Sequence, residues 1–89
     1  MTHYFNPPHL LPVVEVVRGE KTSDKNVELI VDLLVSAGKK PAVVKKEIKG
    51  FIGNRLQMAM FRESLNLIEA GVVSVAELDE IVKSSFGRR

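Results

Sequence analysis

Two side chains a dozen positions apart, His3 and Glu15, carry the chemistry that this sequence most directly suggests. His3 lies on a short aromatic stretch, His3-Tyr4-Phe5, which the turn Asn6-Pro7-Pro8 brings to a stop. Glu15 sits in the middle of the apolar run Val13-Val14-Glu15-Val16-Val17. Its neighbours all favour a buried strand, so the carboxylate is expected to be half-buried and therefore to have a partner. The nearest candidates are the two imidazoles on the far side of the prolines, His3 and His9. If the turn folds the second strand back beside the first, Glu15 accepts from one ring nitrogen and leaves the other free as a proton acceptor near neutral pH. The same spacing also suits a hydrogen-bonded structural histidine. His9, flanked by Pro8, Leu10 and Leu11, reads as a turn residue. Two histidines without cysteine and without HxxxH or HExxH spacing give no metal ligands.

The elements that must position this pair follow from the pattern. Thr2 to Phe5 reads as a strand ended by prolines that cannot donate to a ladder, and Val13 to Arg18 as a second strand closed by Gly19. Thr22 or Ser23 caps a helix whose apolar positions Val27, Ile30, Val31 and Leu34 follow the i, i+3, i+4, i+7 rule, with Asp24 suiting the first turn. Gly38 is placed to end that helix, and Ala42-Val43-Val44 reads as a third strand. Strand, helix, strand with tight connections is half of an α/β layer. Around Lys49-Gly50 the pattern turns wholly helical, which puts a domain boundary between residues 49 and 50. A long helix is expected from Phe51 to Ala70, apolar over so much of its circumference that it needs partners on more than one side. Ser74-Val75-Ala76-Glu77 has the form of a capping box, and the helix after it carries Leu78, Ile81, Val82 and Phe86 before Gly87.

With 89 residues the chain makes one small domain or a piece of a larger one. It contains no cysteine, hence no disulfide framework and no thiol catalyst, which fits a reducing, cytoplasmic setting. No apolar run is long enough to span a membrane. The net charge of +2 and the cluster Lys39, Lys40, Lys45, Lys46, Lys49 and Arg55 invite a nucleic-acid reading. Aromatics are not interleaved with these lysines, however, and a solvated rim is the favoured reading, so neither nucleic acid nor membrane is expected as a partner.

Three ordered motifs, HYFNPPHLLPVVEVVRGEKTS, GKKPAVVKKEIKGFIGNRLQ and EAGVVSVAELDEIV, resemble the NAD-dependent L-3-hydroxyacyl-CoA dehydrogenases, and the resemblance extends over essentially the whole chain. The chain is also similar to relatives that oxidise other 3-hydroxy acids, the L-gulonate and carnitine dehydrogenases. The resemblance implies the last strands and helix of a Rossmann-type sheet over residues 1–49, then an all-α hairpin beginning the C-terminal domain over 50–89. It implies His3 as the catalytic base, Glu15 as the carboxylate that orients it, and Asn54, in the GFIGNRLQ motif, as an active-site asparagine. Asn6 corresponds to a further asparagine near the substrate, and Gly50 and Gly53 would allow close backbone approach or a hinge. The implied cofactor is NAD, yet the GxGxxG fingerprint, the acidic ribose partner and the family's upstream serine are not found, so no cofactor-binding residue is identified in this segment. The expectation is a central segment of a dehydrogenase that is inactive by itself. The competing expectation is a non-catalytic fragment that self-associates as a homo-oligomer, including by exchange of helices, through its sheet edge and over-apolar helix.

Overall fold

In the computed structural model, which describes residues 1–88, the valine-rich segment Val13–Val17 forms the middle strand, β2, of a three-stranded sheet. β1 (Thr2–Tyr4) pairs with it antiparallel, placing His3 directly opposite Glu15. On its other side β3 (Lys40–Val44) runs parallel, with Val14 opposite Pro41 and Val17 opposite Val44. A parallel neighbour requires a crossover, and helix α1 (Asp24–Ser36) supplies it. Because β2 is paired on both sides and packed by α1, its residues Val14 to Val17 are all buried. Glu15 is consequently not half-buried as its strand position suggests but 3% exposed.

Between the two candidate caps of α1 the hydroxyls divide the work. Ser23 Oγ accepts from the Asn26 backbone N–H at 3.1 Å, while Thr22 Oγ1 accepts from the Gly19 N–H at 3.0 Å and closes the preceding turn. Gly38, at φ +80°, ends the helix, with the Lys39 N–H returning to the Leu34 carbonyl at 2.9 Å. The chain enters β3 at Lys40, two residues earlier than the Ala42 start read from the sequence. Pro41 is tolerated because β3 is the outer strand of this sheet. β1 conversely ends one residue short of Phe5, at the bend that begins with Asn6. The core is Val14, Val16 and Leu34 with Ile30 packed against it.

The chain divides after Asn54 into two compact units, residues 1–54 and 55–89, with Arg89 outside the described residues. α2 (Gly53–Glu69) begins two residues after the expected Phe51, because Gly50 and Phe51 both have positive φ, which an α-helix excludes. α3 (Val75–Ser84) is capped by Ser74, whose Oγ accepts from the Glu77 N–H at 3.2 Å. Phe86 falls not on α3 but in a 3-10 turn, Phe86–Arg88, since the backbone leaves helical geometry at Ser85. Within the second unit α2, α3 and this turn line an apolar groove of about 320 Å³ that includes Met60, Leu67, Leu78, Ile81 and Phe86. α2 itself buries no residue, and Leu56, Met58, Phe61 and Leu65 stay exposed. None of the described helices is long and apolar enough to cross a membrane.

Leu34 is 6% exposed and completes the core under β2. Leu34→Ala is expected to destabilise the first unit by about 2–5 kcal/mol in urea denaturation. Leu29→Ala, on the open side of α1 at 64% exposure, is expected to change it by less than roughly 0.5 kcal/mol.

Candidate active site

The antiparallel register that sets His3 opposite Glu15 brings Nδ1 of the imidazole to 2.8 Å from Glu15 Oε1. The second carboxylate oxygen is held from the other direction. Oε2 accepts from the Ile52 backbone N–H at 2.7 Å and from the Gly53 N–H at 3.4 Å, where the chain enters α2. Burial opposes ionisation of Glu15. The His3 hydrogen bond, the two backbone N–H groups and the charge of His3 outweigh it, leaving the carboxyl below its usual range. An ionised Glu15 accepts only, so neutral His3 carries its proton on Nδ1 and presents Nε2 with a free lone pair.

The imidazole is flanked by two aromatic rings, Phe5 and Phe51, each with its centroid 5.2 Å away and tilted by 58° and 57° respectively. Three backbone positions shape this arrangement. Phe51 adopts φ +49°, a left-handed conformation that costs an L-residue roughly 1–2 kcal/mol, and with Gly50 at φ +81° it swings the following N–H groups toward Glu15. Gly53 meets Phe5 so closely that a Cβ there would lie 2.3 Å from the Phe5 ring. Gly53 therefore serves the close approach expected of it.

Of the residues singled out from the sequence, His3 and Glu15 meet directly. Asn54 follows Gly53 in the first turn of α2, within the same unit as the pair, and is exposed. Asn6 is exposed at the bend just after Phe5, and His9 is exposed in the turn that follows and takes no part. Sequence reasoning missed the two phenylalanine rings and the Ile52 N–H. The aromatic neighbour of Asn6 and the glycines bracketing Phe51-Ile52 were the available signals. Among the described residues no cluster of His, Cys, Asp and Glu could hold a metal ion. The β2–α1 turn, Arg18 to Ser23, has one glycine and is not a glycine-rich pyrophosphate-binding loop.

A mixed sheet with a crossover helix between its parallel strands, and a histidine–carboxylate pair across its antiparallel ones, mark a segment of an oxidoreductase-type α/β protein. Residues 1–48 match the 3-hydroxyacyl-CoA dehydrogenase NAD binding domain and residues 50–89 the C-terminal domain of the same enzymes. The chain belongs to the 3-hydroxyacyl-CoA dehydrogenase family. It is 46% identical over 87 residues to an L-carnitine dehydrogenase of Mesorhizobium japonicum, covering 98% of this chain and 24% of that protein. To a 3-hydroxyacyl-CoA dehydrogenase of Gibberella moniliformis it is 45% identical, covering 98% of this chain and 27% of the relative. The solved structure of a 5-formyl-3-hydroxy-2-methylpyridine 4-carboxylic acid 5-dehydrogenase, an NAD-dependent dismutase, superposes with a TM-score of 0.90 at 44% identity, over 98% of this chain and 28% of that one. The chain thus spans about a quarter of the length of the relatives it matches. The sheet and α1 are the end of a Rossmann-type NAD-binding domain, and the helices belong to the helical C-terminal domain.

Because the folded-state carboxyl of Glu15 lies below its ordinary value of 4.5, its ionisation stabilises the fold fully above that pH. That stabilisation is lost as pH falls from there through the folded-state value. Glu15→Gln is expected to cost roughly 1–3 kcal/mol at pH 7, with the gap to the parent chain narrowing below pH 4.5 in thermal melts. Gly53→Ala is expected to displace the Phe5 ring, read as a loss of the nuclear Overhauser contacts between Phe5 and His3.

Proposed function

We propose that this chain is the base-bearing segment of an NAD-dependent dehydrogenase that oxidises the 3-hydroxyl of a 3-hydroxyacyl-CoA to the 3-keto form, as in fatty-acid β-oxidation. The observation that supports this reading is the 2.8 Å bond between His3 Nδ1 and a buried Glu15, which leaves Nε2 as the acceptor. In the forward direction Nε2 of His3 takes the proton of the 3-hydroxyl. Glu15 holds the tautomer and stabilises the imidazolium that forms, remaining ionised throughout. Asn54 and Asn6 bind substrate oxygens through their amides. Bound NAD supplies the acceptor for the hydride on the same carbon, held by residues outside these 89. Nothing in this proton relay depends on what the alcohol carbon carries. The likeness to an L-carnitine dehydrogenase supports carnitine as an alternative 3-hydroxy substrate, L-gulonate being the other alternative that the sequence resemblance implies. The absence of cysteine is consistent with a cytoplasmic setting.

A second reading applies to the 89 residues alone. The exposed Leu56, Met58, Phe61 and Leu65 of α2 favour self-association of the chain as a homo-oligomer that includes exchanged helices.

In a complete polypeptide carrying this segment, His3→Ala is expected to lower turnover of 3-hydroxybutyryl-CoA by on the order of 10²–10⁴-fold while NAD affinity is kept. Retained turnover would remove His3 as the base. Comparing kcat/KM for that substrate, L-carnitine and L-gulonate decides the substrate class. Light scattering of the 89-residue chain over a range of concentrations is expected to show a mass that rises with concentration; a constant monomer mass counts against self-association.

A further inference from the structure

The His3–Glu15 pair is gripped on two sides by one short segment, Gly50 to Gly53. Its backbone donates two N–H groups to Glu15 Oε2, at 2.7 and 3.4 Å. Its one ring, Phe51, packs against the imidazole with its centroid at 5.2 Å, the same distance as Phe5. For both to happen Phe51 must hold φ +49°, where glycine would sit without strain. A bulky residue kept in that region while glycines stand at 50 and 53 indicates that the ring is needed at this point of the turn. Without neighbouring rings to restrain it, an imidazole fastened by a single hydrogen bond can turn about its side-chain torsions and break the Nδ1 bond. A free neutral imidazole prefers its proton on Nε2, which would abolish the acceptor.

We infer that Phe51 is a positioning residue: together with Phe5 it packs against the His3 ring and restrains its rotation, so that Nδ1 stays on Glu15 and Nε2 stays unprotonated toward the substrate. This deepens the function proposed above and rests on His3 being the base. Phe51 acts only through His3 and touches no reacting atom. The segment couples both members of the pair, because the same backbone turn that delivers the ring also aims the Ile52 and Gly53 N–H groups.

The test reads the tautomer, not activity. Nitrogen-15 correlation spectra of the imidazole in the 89-residue chain, recorded in alkaline buffer, report which nitrogen carries the proton. Phe51→Gly removes the ring while keeping a residue that accepts φ +49°, and Phe51→Leu keeps apolar bulk for folding without a flat wall. Both are expected to shift His3 from the Nδ1–H form to a mixture in which Nε2–H is evident, with the Ile52 amide signal still at its hydrogen-bonded position. Phe51→Tyr is expected to restore the Nδ1–H form. A pure Nδ1–H tautomer in either folded ring-less variant overturns the inference while leaving the His3–Glu15 pair intact. An Nε2–H tautomer already present in the unmodified chain would instead overturn the pair itself, and with it the proposed base.

Discussion

One buried charge holds this arrangement together. The Glu15 carboxylate lies at the centre of a central strand, 3% exposed, where an unpaired anion would be severely destabilising. It is tolerated because donors converge on it from two distant parts of the chain: the imidazole of His3 on β1, and the N–H groups of Ile52 and Gly53 at the start of α2. Each donor in turn is fixed by something else. The ladder register delivers His3, and two successive positive-φ residues deliver the N–H groups. The carboxylate is thus the point at which sheet pairing and helix entry are made to agree.

That agreement has a chemical consequence. A carboxylate that accepts from three donors is held ionised to below its usual range, so it dictates the tautomer of the imidazole beside it. The geometry that stabilises the first unit is therefore also the geometry that leaves a ring nitrogen with an open lone pair. Asn54 stands one residue beyond Gly53 and is the last residue of that same unit. The second unit contributes apolar surface instead, with an open groove and a helix that buries none of its own side chains.

A good part of this was legible in the chain itself. The charge embedded in Val13-Val14-Glu15-Val16-Val17, the proline stop after Phe5, and the apolar period of α1 are local patterns, and local propensity and periodicity decide them. The cap of α3 at Ser74 was legible for the same reason, and that of α1 to within the pair Thr22 and Ser23, since a cap acts within one helical turn. The departures were also local in origin but set by pairing: β3 takes in Lys40 and Pro41 because a parallel neighbour is available, and α2 starts late because Phe51 is held left-handed.

The sequence by itself determined which residues could do chemistry here and which elements would carry them, because residue type and spacing are properties of neighbours along the chain. Only the tertiary structure decided that Glu15 is fully buried, that His3 and not His9 is its partner, and that Phe5, Phe51 and the Ile52 N–H complete the site. Those outcomes depend on contacts between residues up to 48 positions apart, Phe51 against His3 being the longest. Such contacts are selected by packing and by the need to satisfy a buried charge, and no local pattern encodes them.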